Sequence, residues 1–168
     1  LMQAMRDLAP RLTVENRVQL RWETFATEAL KVIAWALEGP LLPSIAFNDH
    51  TSMTMRAYDV PIQGRAFELS PDFSIASLDD DRMKKRTASK AHRAGLSEDE
   101  YIALLGRVWE RRADVPATVA RVAEMGRAAG APMLSHDDTR AETRAWFRGH
   151  GAHVAEFPMV MEAARAAR

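Results

Sequence analysis

Residues 131–138 read Ala-Pro-Met-Leu-Ser-His-Asp-Asp. The first four form a short apolar run, which predicts a buried β-strand, and the polar group Ser135, His136, Asp137 and Asp138 follows it directly. A histidine beside carboxylates at the end of a strand can bind a ligand and be oriented by its neighbours. The same pattern, a strand followed by polar residues, recurs along the chain and decides the predicted fold.

Three further strands of this kind are predicted. They are residues 17–22 before Glu23, residues 41–47 before Asn48, Asp49 and His50, and residues 152–155 before Glu156. Helices are predicted from Thr24 to Gly39, from the capping box of Ser97 and Glu100 to about Arg112, from Asp114 and Pro116 to Gly130, from the capping box of Thr139 and Glu142 to about Gly149, and from Pro158 through Ala164. Residues 51–96 lose this periodicity and are predicted to form an irregular insertion after the second strand.

Strands that alternate with helices predict an α/β fold with parallel strands, either a doubly wound open sheet or a (βα) barrel. Glu23, His50, His136 and Glu156 all follow predicted strand ends, which is where barrel enzymes carry their catalytic groups. The pattern therefore favours a TIM-type barrel. Because a complete barrel has about eight strands, residues 1–168 are expected to form a single domain that is a partial barrel of about four β-α units.

The composition excludes several classes of protein. Lys plus Arg and Asp plus Glu each number 23, so no net charge attracts nucleic acid. No apolar run is long enough to predict a membrane span, and no leader opens the chain, so a cytoplasmic protein is expected. The sequence has no cysteine, so any metal must be held by His, Asp and Glu.

Each candidate residue also has a purely structural interpretation. The two aspartates after His136 are also the residues that cap and stabilise a helix N-terminus. Glu23 can bind metal or be an exposed first-turn glutamate, and Glu156 can form an ion pair with Arg21 across the barrel mouth. The basic run 84–86 can bind a phosphorylated substrate, but a solvated run paired with the acidic residues 79–81 is the preferred interpretation.

Four segments together resemble the PhnM-type amidohydrolases of phosphonate metabolism in their order and approximate spacing. They are Leu20-Arg21-Trp22-Glu23, Asn48-Asp49-His50-Thr51, Leu134-Ser135-His136-Asp137-Asp138 and Val154-Ala155-Glu156-Phe157-Pro158. The resemblance covers most of the chain from residue 17 onward, and the last two segments are the more specific. It implies a barrel of the metal-dependent hydrolase type that cleaves the triphosphate of a ribosyl alkylphosphonate and releases diphosphate.

The resemblance also implies roles for individual residues. Glu23, His50 and His136 are expected to bind one or two divalent metal ions, with zinc as the expected metal. Asp137 or Asp49 is expected to orient the histidines or to transfer protons. A small phosphorylated molecule is the expected substrate, with Arg21, Arg56 and Glu156 as its candidate contacts.

The sequence departs from the family pattern in two places. The family's opening His-x-Asp motif and closing-strand aspartate have no counterpart, so this chain is expected to be catalytically incomplete. The loop after His50 runs from Thr51 to Arg56 in place of a Pro-Gly-Gln-Arg-like sequence, and Arg56 is the candidate replacement for its arginine. Two alternatives stay open: an amidohydrolase that acts on a cyclic amide or deaminates a base, and a non-catalytic half-barrel. Exposed strand edges predict a homo-oligomer.

Overall fold

Four short strands form one parallel sheet in the computed structural model, which describes residues 2–168. They are β1 (Gln19–Glu23), β2 (Ser44–Asn48), β3 (Met133–His136) and β4 (Val154–Glu156), and they lie in the order β1-β2-β3-β4. Glu23 lies opposite Asn48, and His136 lies opposite Glu156. The predicted α/β class with parallel strands is confirmed. The barrel type stays a prediction, as does the homo-oligomer.

The strand boundaries differ from those predicted. β2 begins later than predicted, at Ser44, because Pro43 precedes it and the backbone N–H of Ser44 is the first to pair, with the Val18 carbonyl at 3.0 Å. β3 continues through Ser135 and His136, so His136 belongs to the strand and does not follow it. The histidine is thereby held by the ladder of the sheet.

Eight α-helices connect and flank the strands. They are α1 (Met2–Leu8), α2 (Leu30–Leu37), α3 (His50–Met55), α4 (Asp81–Ala94), α5 (Glu98–Trp109), α6 (Val115–Ala129), α7 (Ala141–Gly149) and α8 (Met161–Ala166). Short 3-10 turns occupy Ala9–Arg11, Thr27–Ala29, Ile62–Gly64 and Glu110–Asp114. Within residues 2–168, no helix has both the length and the apolar character that are needed to cross a bilayer.

The predicted caps are partly confirmed. The capping box of Ser97 and Glu100 begins α5, and α6 ends at Gly130, whose φ of 70° is the left-handed conformation that glycine adopts easily. Thr24 and Thr139 were expected to cap α2 and α7, and this is wrong. The backbone N–H of Thr24 instead extends the sheet by donating to the Asn48 carbonyl. At α7, the carboxylate of the distant Glu162 accepts from the backbone N–H of Ala141 at 3.2 Å and replaces the local cap.

The segment predicted as an irregular insertion contains a regular helix. α4 begins after Asp80, whose carboxylate accepts from the backbone N–H of Arg82, and ends at Gly95, which has a φ of 68°. Its buried residues Met83, Thr87 and Ala91 recur every fourth position, which places them on one face of a helix. This narrow face packs in a second small core with residues that include Met55, Ala76 and Leu105. The sequence did not predict this helix because most of its residues are charged or polar and only a narrow face is buried.

The main core lies on one face of the sheet. Trp22 and Phe47 pack edge-to-face with ring centroids 5.8 Å apart, and α2, α6 and α7 contribute buried apolar residues such as Ile33, Val119 and Phe147. Because side chains alternate along a strand, the positions beside these core residues project from the opposite face. Those positions include the polar residues Arg21, Glu23, Asn48, His136 and Glu156. The apolar residues Ala46, Leu134 and Val154 lie on the same face.

Arg144 in α7 has a fully buried guanidinium. It pairs with Asp138 at 3.5 Å, and both side chains have no exposed surface. It also donates to the Ser135 hydroxyl and to the Ala152 and Val154 carbonyls, while Ser135 donates to Asp138 at 2.5 Å. Arg144 therefore joins the end of β3 to the beginning of β4.

Replacing Arg144 with Met is expected to lower the free energy of unfolding by about 3–5 kcal/mol, because Asp138 is left as a buried charge without its partner. Urea denaturation followed by circular dichroism measures the loss. Arg121→Met is the matched control, since Arg121 is exposed on α6, and it should change stability by less than about 0.5 kcal/mol. Equal stability of the two variants would show that the buried pair does not hold this part of the fold.

Candidate active site

Glu23 and His50 contact each other where β1 ends and α3 begins. The Glu23 carboxylate bonds to the His50 ring at Nδ1, and its other oxygen accepts from the His50 backbone N–H at 3.0 Å. Burial acts to raise the pKa of Glu23, but the hydrogen bonds and charge of His50 outweigh it and lower that pKa. The hydrogen bond with Glu23 in turn raises the pKa of His50. The pair is thus stabilised in its charged form.

His136 and Asp137 lie beside this pair. Asp137 Oδ2 is 3.0 Å from His136 Nδ1 and 3.8 Å from His50 Nε2, and the two imidazole rings have centroids 6.3 Å apart. Asp137 has a φ of 59°, in the left-handed region that few residues other than glycine adopt. Its backbone N–H still donates to the Glu156 carbonyl at 3.0 Å. The turn therefore directs the carboxylate toward both rings while the ladder of the sheet continues.

Arg21 reaches His136 from the opposite side. Its Nη2 is 2.8 Å from His136 Nε2 and 3.5 Å from Asn48 Oδ1. A guanidinium has only donors, so His136 Nε2 must accept and His136 Nδ1 must carry the proton that faces Asp137. We assign this neutral tautomer of His136 from its contacts.

Three predicted site residues lie outside this group. Asp49 turns toward the helices, where it caps α3 by accepting from the Ser52 backbone N–H at 2.7 Å. Arg56 donates to the Met53 and Val60 carbonyls, at 2.5 and 2.9 Å, and so stabilises the end of α3. Glu156 accepts from Gln19 Nε2 at 3.1 Å, whereas Arg21, its expected partner, contacts His136.

The surroundings of Asp49 make its carboxyl group a weaker acid than usual. Burial and the neighbouring charge of Glu68 raise the pKa of Asp49 to about 6. Glu68 belongs to a buried ion pair with Arg65, at 2.6 Å, and Arg65 also donates to the Asp137 carbonyl at 3.4 Å. Asp49 is therefore part of the connection between residues 51–80 and the sheet. These contacts give Asp49 a structural role, and its predicted catalytic role stays a prediction.

Sequence reasoning missed the residues that line the other side of the site. A cleft of about 710 Å³ opens beside Glu23 and His50, and Lys90, Arg93 and Tyr101 form its far wall. The basic run that was singled out instead is engaged elsewhere. Lys84 pairs with Asp99 at 2.7 Å, and Arg86 donates to the Thr54 and Arg56 carbonyls. The helical spacing of Met83, Thr87 and Ala91 was the available signal that would have placed Lys90 on the inner side of α4.

The chemistry of the group suits a divalent metal ion, and its spacing does so in part. Carboxylate and imidazole donors are the ligands that zinc accepts in the absence of cysteine. Metal–ligand bonds of about 2.0–2.1 Å place neighbouring ligand atoms of a tetrahedral site roughly 3.3 Å apart. Asp137, which is not one of the predicted ligands, has such separations from His136 Nδ1 (3.0 Å) and His50 Nε2 (3.8 Å), but Glu23, His50 and His136 do not form a group with this spacing in residues 2–168.

No three His, Asp and Glu side chains in residues 2–168 form a group with the spacing of a metal site. Two contacts account for this. Glu23 bonds directly to the His50 ring, and Arg21 bonds to His136 Nε2, so two ring nitrogens already have partners. A metal ion would have to replace these contacts.

Comparisons of the chain with protein-family models, with curated proteins and with solved structures gave no match. The functional argument therefore depends on the geometry of the site and on the sequence segments that form it.

The elevated pKa of Asp49 predicts how stability depends on pH. A carboxyl group whose pKa is raised on folding stabilises the protein below its ordinary pKa of 3.8, and this contribution is lost as the pH rises through about 6. Asp49→Asn keeps an oxygen acceptor for Ser52 without a titrating proton. Its stability relative to the wild type is expected to increase by about 2 kcal/mol between pH 4 and pH 7.5.

Urea denaturation of both proteins across this pH range measures the difference. Asp72→Asn is the control, because Asp72 is exposed and its side chain caps nothing. It should follow the wild type at every pH. A constant difference between Asp49→Asn and the wild type would mean that the Asp49 pKa is not raised on folding.

Proposed function

We propose that the chain carries the metal site of a hydrolase of phosphonate metabolism, which cleaves the triphosphate of a ribosyl alkylphosphonate and releases diphosphate. One observation carries the proposal. Glu23, His50, His136 and Asp137 follow or end three different parallel strands, and they contact one another at the carboxyl edge of the sheet. Catalytic groups of (βα) enzymes lie at this edge. The four sequence segments that resemble the PhnM-type family supply this edge.

Glu23, His50 and His136 are the proposed ligands of a divalent metal, with zinc as the first choice because the donors are nitrogen and oxygen. When bound, such an ion polarises a phosphoryl oxygen and lowers the pKa of a water molecule toward neutrality. A further residue of the chain has a proposed role beside these ligands. Asp137 is close to both imidazole rings, so its carboxylate is the proposed group that orients them and accepts a proton from a nearby water.

Arg21 has a second role in the proposal. It holds His136 in the neutral form that metal binding requires, because its guanidinium can only donate to Nε2. If His136 Nε2 held a metal, the Arg21 guanidinium would be free to donate to a phosphoryl oxygen, with which arginine forms strong charge-assisted hydrogen bonds. Glu156 and Arg56 are assigned no contact with substrate, because Gln19 and backbone carbonyls engage them.

The metal site is tested by elemental analysis. The chain is stripped with a chelator, incubated with excess Zn²⁺ or Mn²⁺, desalted and analysed for bound metal. Near-stoichiometric metal is expected in the wild type, with at least a tenfold weaker affinity in His136→Ala. His153→Ala is the control, since His153 is exposed and precedes β4 at the opposite edge of the sheet. Equal metal content in all three proteins would contradict the proposed ligand set.

The substrate class is tested by calorimetry on the metal-loaded chain, because binding does not require the family's missing ligands. Inorganic triphosphate is expected to bind more tightly with metal than without it. Binding of a cyclic amide such as dihydrouracil in place of triphosphate would favour the amidohydrolase alternative. Absence of both metal and triphosphate binding would favour a non-catalytic half-barrel.

A further inference from the structure

The cleft beside Glu23 and His50 has a wall that the proposed metal chemistry does not use. Lys90 and Arg93 are three positions apart on α4 and so share one face of the helix, and both line the cleft. Lys90 is half-buried, and its ammonium group donates to the Thr54 hydroxyl at 2.5 Å. Thr54 in turn donates to the His50 carbonyl at 2.7 Å. Lys90 is therefore fixed within two hydrogen bonds of the candidate metal ligand.

The charges around Lys90 are mostly of the same sign. Burial lowers its pKa, and the positive charges of Arg93, Arg56 and Arg86 act in the same direction, while Glu23 alone among the main contributors opposes them. Glu23 is itself bonded to His50. Across residues 2–168, neither Lys90 nor Arg93 forms an ion pair within 4.0 Å. Glu23 lines the same cleft, but neither cation is paired directly with a carboxylate there.

Two neighbouring cations that face a cleft without a directly paired carboxylate are unfavourable for the free protein, because like charges repel and partial burial removes water from Lys90. An anion in the cleft removes both costs. Phosphate is well suited to this position, since a lysine ammonium binds it as a point charge and an arginine contributes directed N–H donors. The cleft volume of about 710 Å³ leaves room for more than one phosphoryl group beside the pair Glu23–His50.

We propose that Lys90 and Arg93 form an anion subsite, built by α4, that holds a phosphate group of the substrate next to the metal ligands Glu23 and His50. The proposal rests on the proposed function, but the subsite binds its anion through protein cations and so does not need the metal. Lys90 is a positioning residue: it holds one end of a polyphosphate while the other end reaches the ligands on β1 and α3. The insertion thereby provides the selectivity for phosphorylated substrates.

Calorimetric titration of inorganic pyrophosphate into the metal-free chain, with chelator present at low ionic strength, tests the subsite separately from the metal site. Lys90→Gln is expected to weaken pyrophosphate binding at least tenfold, and Arg93→Gln about three- to tenfold. Lys90→Arg keeps the positive charge and should retain most of the affinity for pyrophosphate. This result would show that the loss in Lys90→Gln comes from the missing charge and not from a folding defect. Lys85→Gln is the matched control, because Lys85 lies exposed on the same helix and lines no part of the cleft.

Three results would overturn the subsite: no pyrophosphate binding by the metal-free wild type, equal weakening in Lys85→Gln and Lys90→Gln, or equal affinity for malonate and pyrophosphate. The first two would show that α4 offers only a diffuse positive surface, and the third that the cleft does not select phosphate. Loss of metal binding with pyrophosphate binding intact would count against the proposed function alone. The reverse outcome would count against the subsite alone.

Discussion

The ion pair of Arg144 and Asp138, enclosed without access to solvent, holds the carboxyl end of β3 against the beginning of β4. The positions of His136 and Asp137 depend on this contact, because the two residues lie between Ser135 and Asp138, which Arg144 connects. A buried charge without its partner is strongly destabilising, so the fold cannot relax the pair without a large cost. Asp137, with a φ of 59°, is held by hydrogen bonds of its backbone to the Glu156 carbonyl and to the Arg65 guanidinium.

The two faces of the sheet have different roles, one in the hydrophobic core and one at the candidate site. The helix-covered face buries Trp22, Phe47 and Met133 and supplies most of the hydrophobic stabilisation. The other face carries Arg21 and His136 at alternating positions, and α3 to α5 place the cleft beside them. α6 approaches β3 closely at Gly126. A side chain at Gly126 would meet the Met133 sulfur at 2.7 Å, so a larger residue there would require the Met133 side chain to move.

The sequence predicts the sheet well because each strand combines an apolar run with a polar end, and the convergence of Glu23, His50 and His136 follows from parallel strands alone. It predicts less where tertiary contacts decide. Thr24 and Thr139 have the sequence pattern of helix caps but do not act as caps. Thr24 forms a sheet hydrogen bond, and the distant Glu162 caps α7. Asp49 was grouped with His50 by adjacency, yet the two side chains turn to different sides of the strand end. The cleft wall on α4 was missed because a charged helix conceals a narrow buried face.

X-ray absorption at the zinc edge of the metal-loaded chain tests the central claim most directly, since it reports which atoms surround the ion. The account predicts nitrogen and oxygen neighbours at about 2.0–2.2 Å, with the outer-shell scattering of two imidazole rings, and loss of one ring in His136→Ala. A spectrum with oxygen neighbours only, unchanged in that variant, would contradict the account, because it would place the ion away from His50 and His136.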